Sequence, residues 1–160
     1  MTESYQMVGV PFETPDATLD TIKLNAAIGV DRMQIMIYQP YRGTALAELS
    51  LQHGFTEKGE VGSDFFSPSE VALDSMEQCQ VLMFRDFFKP LVRYYQVLGK
   101  LPPSASKWAT AASDRVLCSP TVARTLNAAH RPANYVFRNL QKLATSWRVA
   151  RHSTTFGVNP

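Results

Sequence analysis

The chain has 160 residues, of which 45% are hydrophobic and 19% are charged, and its net charge at pH 7 is +2. That is enough chain for one ordinary domain with a hydrophobic core, and the charge is too small to argue for nucleic acid as a partner. No apolar run has the length of a membrane span, and no charged and apolar leader precedes the first predicted element. We therefore expect a cytoplasmic protein without a membrane partner.

A strand, a helix and a second strand are predicted in the first quarter of the chain. The first strand covers residues 5–10. Thr14 can cap the helix that follows, with Pro15 at its first position, and Gly29 is a candidate left-handed cap at its end. The second strand covers residues 33–38. The short connections predict a parallel crossover unit.

The turn after the second strand is the best candidate for a ligand site. Residues 33–38 are apolar except for Gln34, which is typical of a strand covered on both faces. The chain then enters a helix that Thr44 can cap. Gly43 would let the backbone approach a ligand, and Arg42 beside the free N–H groups of the helix start favours an anion or a polar ligand edge. Ligands of parallel α/β proteins bind at this end of the strands.

The remainder of the chain has a helical pattern. Capping boxes at residues 67–70 and 75–78 precede a long aromatic helix, which Pro90 is expected to kink or split. Basic residues between positions 138 and 151 are expected to form a solvated helix face rather than a nucleic-acid surface. Three further helices are predicted at residues 104–117, 120–129 and 134–148.

Cysteine and histidine are too sparse for a metal site of their own. Cys79 and Cys118 are far apart in helical sequence, which favours two reduced thiols in the core over a disulfide or a metal site. The three histidines are scattered and lack the spacing of metal ligands.

Two segments at the strand ends resemble a known enzyme family. Residues 8–14 have the sequence VGVPFET, and residues 38–46 have the sequence YQPYRGTAL. Together they resemble the last barrel strands of radical S-adenosylmethionine (SAM) enzymes, in the branch that often carries a cobalamin-binding domain. The resemblance covers roughly residues 5–98.

Most positions of the two family patterns are met. The pattern Gly-x-Pro-x-Glu-Thr at the end of the fifth strand is matched by Gly9, Pro11, Glu13 and Thr14. The pattern Tyr-x-Pro-x-Pro-Gly-Thr at the end of the sixth strand is matched by Tyr38, Pro40, Gly43 and Thr44. Arg42 stands where the family usually has its second proline, so a looser and more basic turn is expected.

The resemblance implies an α/β fold built from the last two parallel strands of a partial (β/α) TIM-like barrel. These strands would lie in residues 1–63, and a mostly α-helical C-terminal region would fill residues 64–160. Two parallel strands cannot close a barrel and leave open edges. The expected partner is therefore an N-terminal barrel half that is missing from this chain or is supplied by a separate subunit.

Ten residues are implied as SAM or substrate contacts. The first strand exit would line the adenosyl group of SAM, and the second would offer backbone groups to the adenine edge, with Gln39 facing the substrate. The set is Val8, Gly9, Val10, Pro11, Glu13, Gln39, Pro40, Tyr41, Gly43 and Thr44. The alternative is that these segments are an ordinary strand-to-helix loop with a solvated Glu13 and a helix cap after a buried strand.

One departure from the family limits the chemistry. The Cys-x3-Cys-x2-Cys motif is absent, and two cysteines cannot hold a 4Fe-4S cluster that leaves one iron open for SAM. The resemblance thus implies an iron–sulfur cluster and SAM only in a complete enzyme, with cobalamin as a further candidate cofactor. We expect the C-terminal fragment of a radical SAM enzyme, inactive alone, which gives SAM contacts and a helical cap over a small-molecule substrate. The alternative is a non-catalytic helical interaction module with a vestigial βαβ unit.

Overall fold

The computed structural model describes residues 1–56 and 71–130. The chain divides into two compact units, Met1–Arg124 and Thr125–Pro160, and the fold described below is that of the first unit. Outside the described residues lie the predicted capping box at 67–70, the domain boundary after residue 63, the helix at 134–148 and the basic residues from 138 to 151.

Two strands and five helices are present in the described ranges. The strands are β1 (Glu3–Val8) and β2 (Arg32–Ile37). The helices are α1 (Pro15–Ile28), α2 (Ala45–Gln52), α3 (Gln78–Leu98), α4 (Pro103–Leu117) and α5 (120–130).

The two strands pair in parallel, with Glu3 opposite Arg32 and Val8 opposite Ile37. Because α1 connects them, the predicted strand–helix–strand unit is confirmed. Its predicted caps are also present. The Thr14 side chain accepts a hydrogen bond from Ala17 N at 3.2 Å, and Gly29 has the left-handed φ of 71° that ends the helix.

The sheet is covered on one face by α1 and α3. Val8 and Ile37 point into this layer and are buried, together with Phe84 of α3. On the opposite face, Tyr5 is 64% exposed and Met7 is 49% exposed. The expectation that residues 33–38 form a strand covered on both faces is therefore wrong, because Gln34 of β2 is exposed. Strand β1 likewise alternates between inward and outward residues, as a half-buried strand does.

The predicted partial TIM-like barrel is also wrong. A barrel needs several strands side by side, tilted and staggered so that the sheet curves back on itself. The described residues form only one parallel pair in an open sheet, and the rest of this part of the chain is mostly helical. The two short strands are too few to impose curvature, and helix α3 packs against both of them.

Helix α3 sets the position of the sheet within the unit. It continues through Pro90 as one helix instead of splitting there. Phe84, Phe88 and Val92 anchor the helix on its buried side, whereas Pro90 is exposed. The hydrogen bond that proline cannot donate is therefore lost on the solvent side of the helix. The predicted capping box at residues 75–78 would place the helix cap at Ser75. The structure places the cap at Glu77 instead.

No helix among residues 1–56 and 71–130 is long and apolar enough to cross a membrane.

Cys79 and Cys118 are free thiols, as expected, but both are half-buried and neither lies in the core.

Candidate functional site

The ten candidate residues lie at the carboxyl edge of the sheet, in the loops that follow β1 and β2. Parallel pairing brings the two loops together. The hydrogen bond from Tyr38 N to Val8 O, at 2.9 Å, extends the ladder one step beyond β2 and holds the loops side by side.

Glu13 organises the first loop. Its carboxylate accepts hydrogen bonds from Gly9 N at 2.6 Å, from Val10 N at 3.2 Å and from the Thr18 hydroxyl at 2.8 Å. The Glu13 N–H donates in turn to Val10 O at 2.9 Å. Glu13 is therefore tied to its own loop, whose backbone it satisfies.

A glycine is required at position 9 both by the backbone conformation and by the side chain packed beside it. Its φ is 82°, and a Cβ atom there would lie 3.0 Å from Val81 Cγ1 of α3. Val8, Gly9 and Pro11 are buried. The space beside the Gly9 backbone, which a glycine leaves open, is therefore filled by the Val81 side chain of α3.

The second loop divides into a buried and an exposed half. Gln39 and Pro40 are buried, whereas Tyr41, Gly43 and Thr44 are exposed. Gly43 has a φ of 83°, and a Cβ atom at this position would meet no atom of the described residues within 4 Å. The Gly43 backbone is therefore open to an approaching molecule.

Thr44 joins this loop to α2. Its hydroxyl donates to Tyr41 O at 2.8 Å and accepts from Ala47 N at 3.3 Å. Of the N–H groups in the first turn, that of Ala47 is satisfied by Thr44, while those of Ala45 and Leu46 have no partner within the helix. Donor groups of this kind beside a basic residue suit an anion or a polar ligand edge.

A cluster of three aromatic rings, which the sequence did not predict, connects the first loop to the end of α2. Phe12 has a φ of 65°, and its ring lies 4.9 Å from the His53 ring and 5.1 Å from the Phe55 ring, edge to face in both cases. Phe55 belongs to a small core with Tyr38 and Val71. A phenylalanine in the left-handed region has no sequence signature, since tertiary contacts hold it there.

A separate polar network joins α1, α3 and α4. The Tyr95 hydroxyl donates to Asp114 Oδ1 at 2.5 Å, and Lys23 Nζ lies 3.0 Å from Asp114 Oδ2 and 2.8 Å from Asp20 Oδ1. Burial, and then the hydrogen bond to Asp114, raises the pKa of Tyr95 above its ordinary value. These groups satisfy one another, so the network is structural.

The residues present do not fit an iron–sulfur cluster. No group of three or more His, Cys, Asp or Glu side chains in the described ranges could hold a metal ion. The Cys79 thiol donates to Glu77 at 3.3 Å, and the Cys118 thiol donates to Asp16 at 3.4 Å. Burial is the first cause that raises the pKa of both thiols, to about 11 for Cys118. A cluster that leaves one iron open for SAM needs three thiolate ligands, and the chain has two cysteines.

The two loops differ in their fit to SAM. In the first loop, the Val8 carbonyl, the Gly9 and Val10 N–H groups and the Val10 carbonyl already have partners within the chain. In the second loop, the exposed Gly43 leaves room beside its own backbone. The space for a ligand at this edge is therefore greater beside Gly43 than beside Gly9.

Comparison of the chain with protein-family models, with curated proteins and with solved structures found no match.

Proposed function

We propose that the chain acts as the C-terminal part of a radical SAM enzyme, in which the turn at residues 39–44 contacts SAM and the helices that follow form a cap over a small-molecule substrate. The proposal is supported by the two motifs at the strand exits and by the geometry of one residue. Gly43 combines a positive φ with open space around its backbone. A turn needs a glycine for the first reason, and close approach of a ligand uses the second.

The catalytic cluster must come from elsewhere. The two thiols of this chain are too few, so the proposal assigns the 4Fe-4S cluster to a segment with the three-cysteine motif, either preceding this one or in a separate subunit. When bound there, the cluster and SAM would supply radical chemistry to the substrate. Cobalamin is a further candidate cofactor of that segment, and the assembly is proposed to work in the cytoplasm without a membrane or nucleic-acid partner.

The chain itself would bind SAM and orient it. The N–H groups of Ala45 and Leu46 at the start of α2 would donate to the polar edge of the adenine, and Arg42 would add positive charge at the rim of the site. Thr44 would keep the turn rigid through its two hydrogen bonds, one on each side of Gly43 in the sequence. Preorganised donors of this kind lower the ordering cost of binding.

The alternative, a non-catalytic interaction module, is favoured by the first loop. Local folding alone accounts for three residues of its Gly-x-Pro-x-Glu-Thr pattern. Gly9 adopts the positive φ, Glu13 satisfies the loop backbone, and Thr14 caps α1. On this account the glycine at position 43 serves only the helix cap.

Titration of the uniformly 15N-labelled chain with SAM, followed by NMR, separates the two. The proposal predicts saturable shifts of the amides at residues 41–46, while Gly99 and Lys100 at the end of α3 stay unchanged as an internal reference. Adenosine should reproduce the shifts, and methionine should not. If millimolar SAM leaves residues 41–46 unshifted, the SAM site is refuted and the interaction module is the better account.

A further inference from the structure

A cleft of about 560 Å³ lies at the amino end of the sheet, opposite the edge that carries the candidate SAM site. Tyr5 of β1 and Met33 and Gln34 of β2 form one side, and Lys89 and Arg93 of α3 form another. The cleft therefore follows the border between β2 and the flank of α3.

The edge of β2 in this cleft has backbone groups that no strand of the described residues pairs with. Arg32 N donates to Thr2 O at 3.1 Å, and Tyr38 N donates to Val8 O at 2.9 Å, so both point towards the β1 side. Because the direction alternates along a parallel strand, the N–H and C=O groups of Met33 and Ile35 point the other way. No third strand exists in the described part of the chain to pair with them, and such an edge is a template for an added strand.

The charges of the cleft are unbalanced. Its two carboxylates are engaged, because Glu3 lies 3.9 Å from Arg32 and Asp31 lies 3.8 Å from the N-terminal amine. Lys89 and Arg93 make no ion pair within the described residues, so two positive charges on α3 remain uncompensated beside the free edge.

The spacing of these charges matches an extended chain. Lys89 and Arg93 are four residues apart on α3, which places them about 6 Å apart along the helix axis. Alternate residues of a strand face the same side and are about 6.6 Å apart. Two acidic residues in alternate positions of a strand on β2 could thus meet both cations, and the residue between them would lie on the open face of the sheet, beside the exposed Gln34.

We propose that the free edge of β2 binds an extended acidic protein segment as a third strand, with alternate acidic side chains on Lys89 and Arg93. Backbone pairing would supply affinity, and the two charges would fix the register. This interaction does not depend on SAM binding, because it uses the opposite end of the sheet.

The first test compares two peptides of equal composition on the whole chain. Labelled Val-Glu-Val-Glu-Val and Val-Val-Glu-Glu-Val differ only in the spacing of the acids, and fluorescence anisotropy gives their affinities. We expect the alternating peptide to bind about tenfold more tightly, a typical size for one well-placed charge pair. It should also slow amide hydrogen exchange at Met33 and Ile35. Equal affinities, or unchanged exchange at both amides, would overturn the proposal.

The second test uses charge reversal. The double variant K89E/R93E should bind the alternating peptide at least about tenfold more weakly. The matched control K107E/R115E reverses the same residue types on the exposed side of α4 and should bind normally. Equal losses in both variants would reduce the effect to net charge and would overturn the proposal. Competition by inorganic pyrophosphate at the same concentration as the peptide would identify a small-anion site, and that result would also overturn it.

Discussion

Glu13 links the exit of β1 to the first turn of α1 through three hydrogen bonds from Gly9, Val10 and Thr18. A buried or half-buried donor that loses its acceptor costs more than the lost bond alone, because the donor no longer reaches water either. At the residue scale, this carboxylate is the main support of the first loop.

Glu13→Ala should lower the free energy of unfolding by about 1–3 kcal/mol, since two backbone N–H groups and a hydroxyl lose their acceptor. Urea unfolding monitored by circular dichroism measures the change. Asp74→Ala removes a carboxylate at an exposed position and serves as the control. A loss for Glu13→Ala no larger than that of the control would show that the loop does not depend on this side chain.

Gly9→Ala tests the contact with α3. It should cost on the order of 1–3 kcal/mol, since the new methyl group would lie 3.0 Å from Val81 Cγ1 at a residue with a φ of 82°. Gly29→Ala has a similar φ of 71° but no atom within 4 Å, so it isolates the backbone strain. Adding Val81→Ala should reduce the cost of Gly9→Ala, and a double-mutant cycle by urea unfolding measures this coupling. Strictly additive effects would contradict the contact.

The role of a residue could be predicted from the sequence when its partners are close to it in the sequence. The caps at Thr14 and Gly29 were predicted because they depend on the residue and its close neighbours. Phe12 and Val81 could not be, because their contacts join segments distant in the sequence. Glu13 lies between these cases, since its partners are near in the sequence but its role depends on the turn.

At the scale of elements, α1, α3 and α4 are joined by the polar network around Asp114 as well as by apolar packing. Tyr95 and Lys23 both direct their polar atoms to this carboxylate. The network therefore fixes how far α4 can move against the other two helices.

Tyr95→Phe should lower the free energy of unfolding by about 1 kcal/mol, because it removes a hydrogen bond to a partly buried carboxylate. Tyr94→Phe is the matched control, since the neighbouring hydroxyl contacts Ser113 at the exposed surface. Chemical denaturation of both variants gives the comparison. Equal losses would mean that the buried position of Tyr95 adds nothing.

Cys118 makes the stability of the same region sensitive to alkaline pH. Its pKa is about 11 in the folded chain, raised from an ordinary value of 9.0 by burial and by the hydrogen bond to Asp16. The unfolded chain therefore loses the thiol proton first, so the free energy of unfolding should fall as the pH rises from 9 to 11. Tyr95, whose pKa is also raised, should extend the loss to higher pH.

Cys118→Ala should remove part of this loss. The measurement is the urea midpoint of both proteins between about pH 8 and pH 11, where the variant should show the flatter profile. Parallel profiles for the two proteins would show that another group titrates.

At the scale of the whole molecule, the sequence was sufficient for the order and type of the elements within residues 1–56 and 71–130, but not for the fold class. Each strand and helix follows from local periodicity and caps, which is why the strand–helix–strand unit was predicted correctly. The partial barrel depended on strands that the described part of the chain does not contain, and β1 proved open on one face. The two strand exits were expected to lie together at one edge of the sheet, and they do, while the backbone partners in the first loop depended on the packed structure.

The account of the function depends on the turn at Gly43, and a paired substitution tests it. Gly43 and Gly54 are matched, with φ values of 83° and 70°, and a Cβ atom at either position would meet no atom within 4 Å. Valine at either residue should therefore cost similar backbone strain, on the order of 1–3 kcal/mol. Only at position 43 would the side chain also stand between the backbone and SAM.

The most direct measurement is the SAM affinity of Gly43→Val and Gly54→Val by NMR titration, together with the unfolding midpoint of each. We predict that both variants lose stability alike, while Gly43→Val binds SAM at least about tenfold more weakly and Gly54→Val binds it as the parent chain does. If the two variants keep the same SAM affinity, the turn at residues 40–44 is only a helix cap and the proposed SAM contact is wrong.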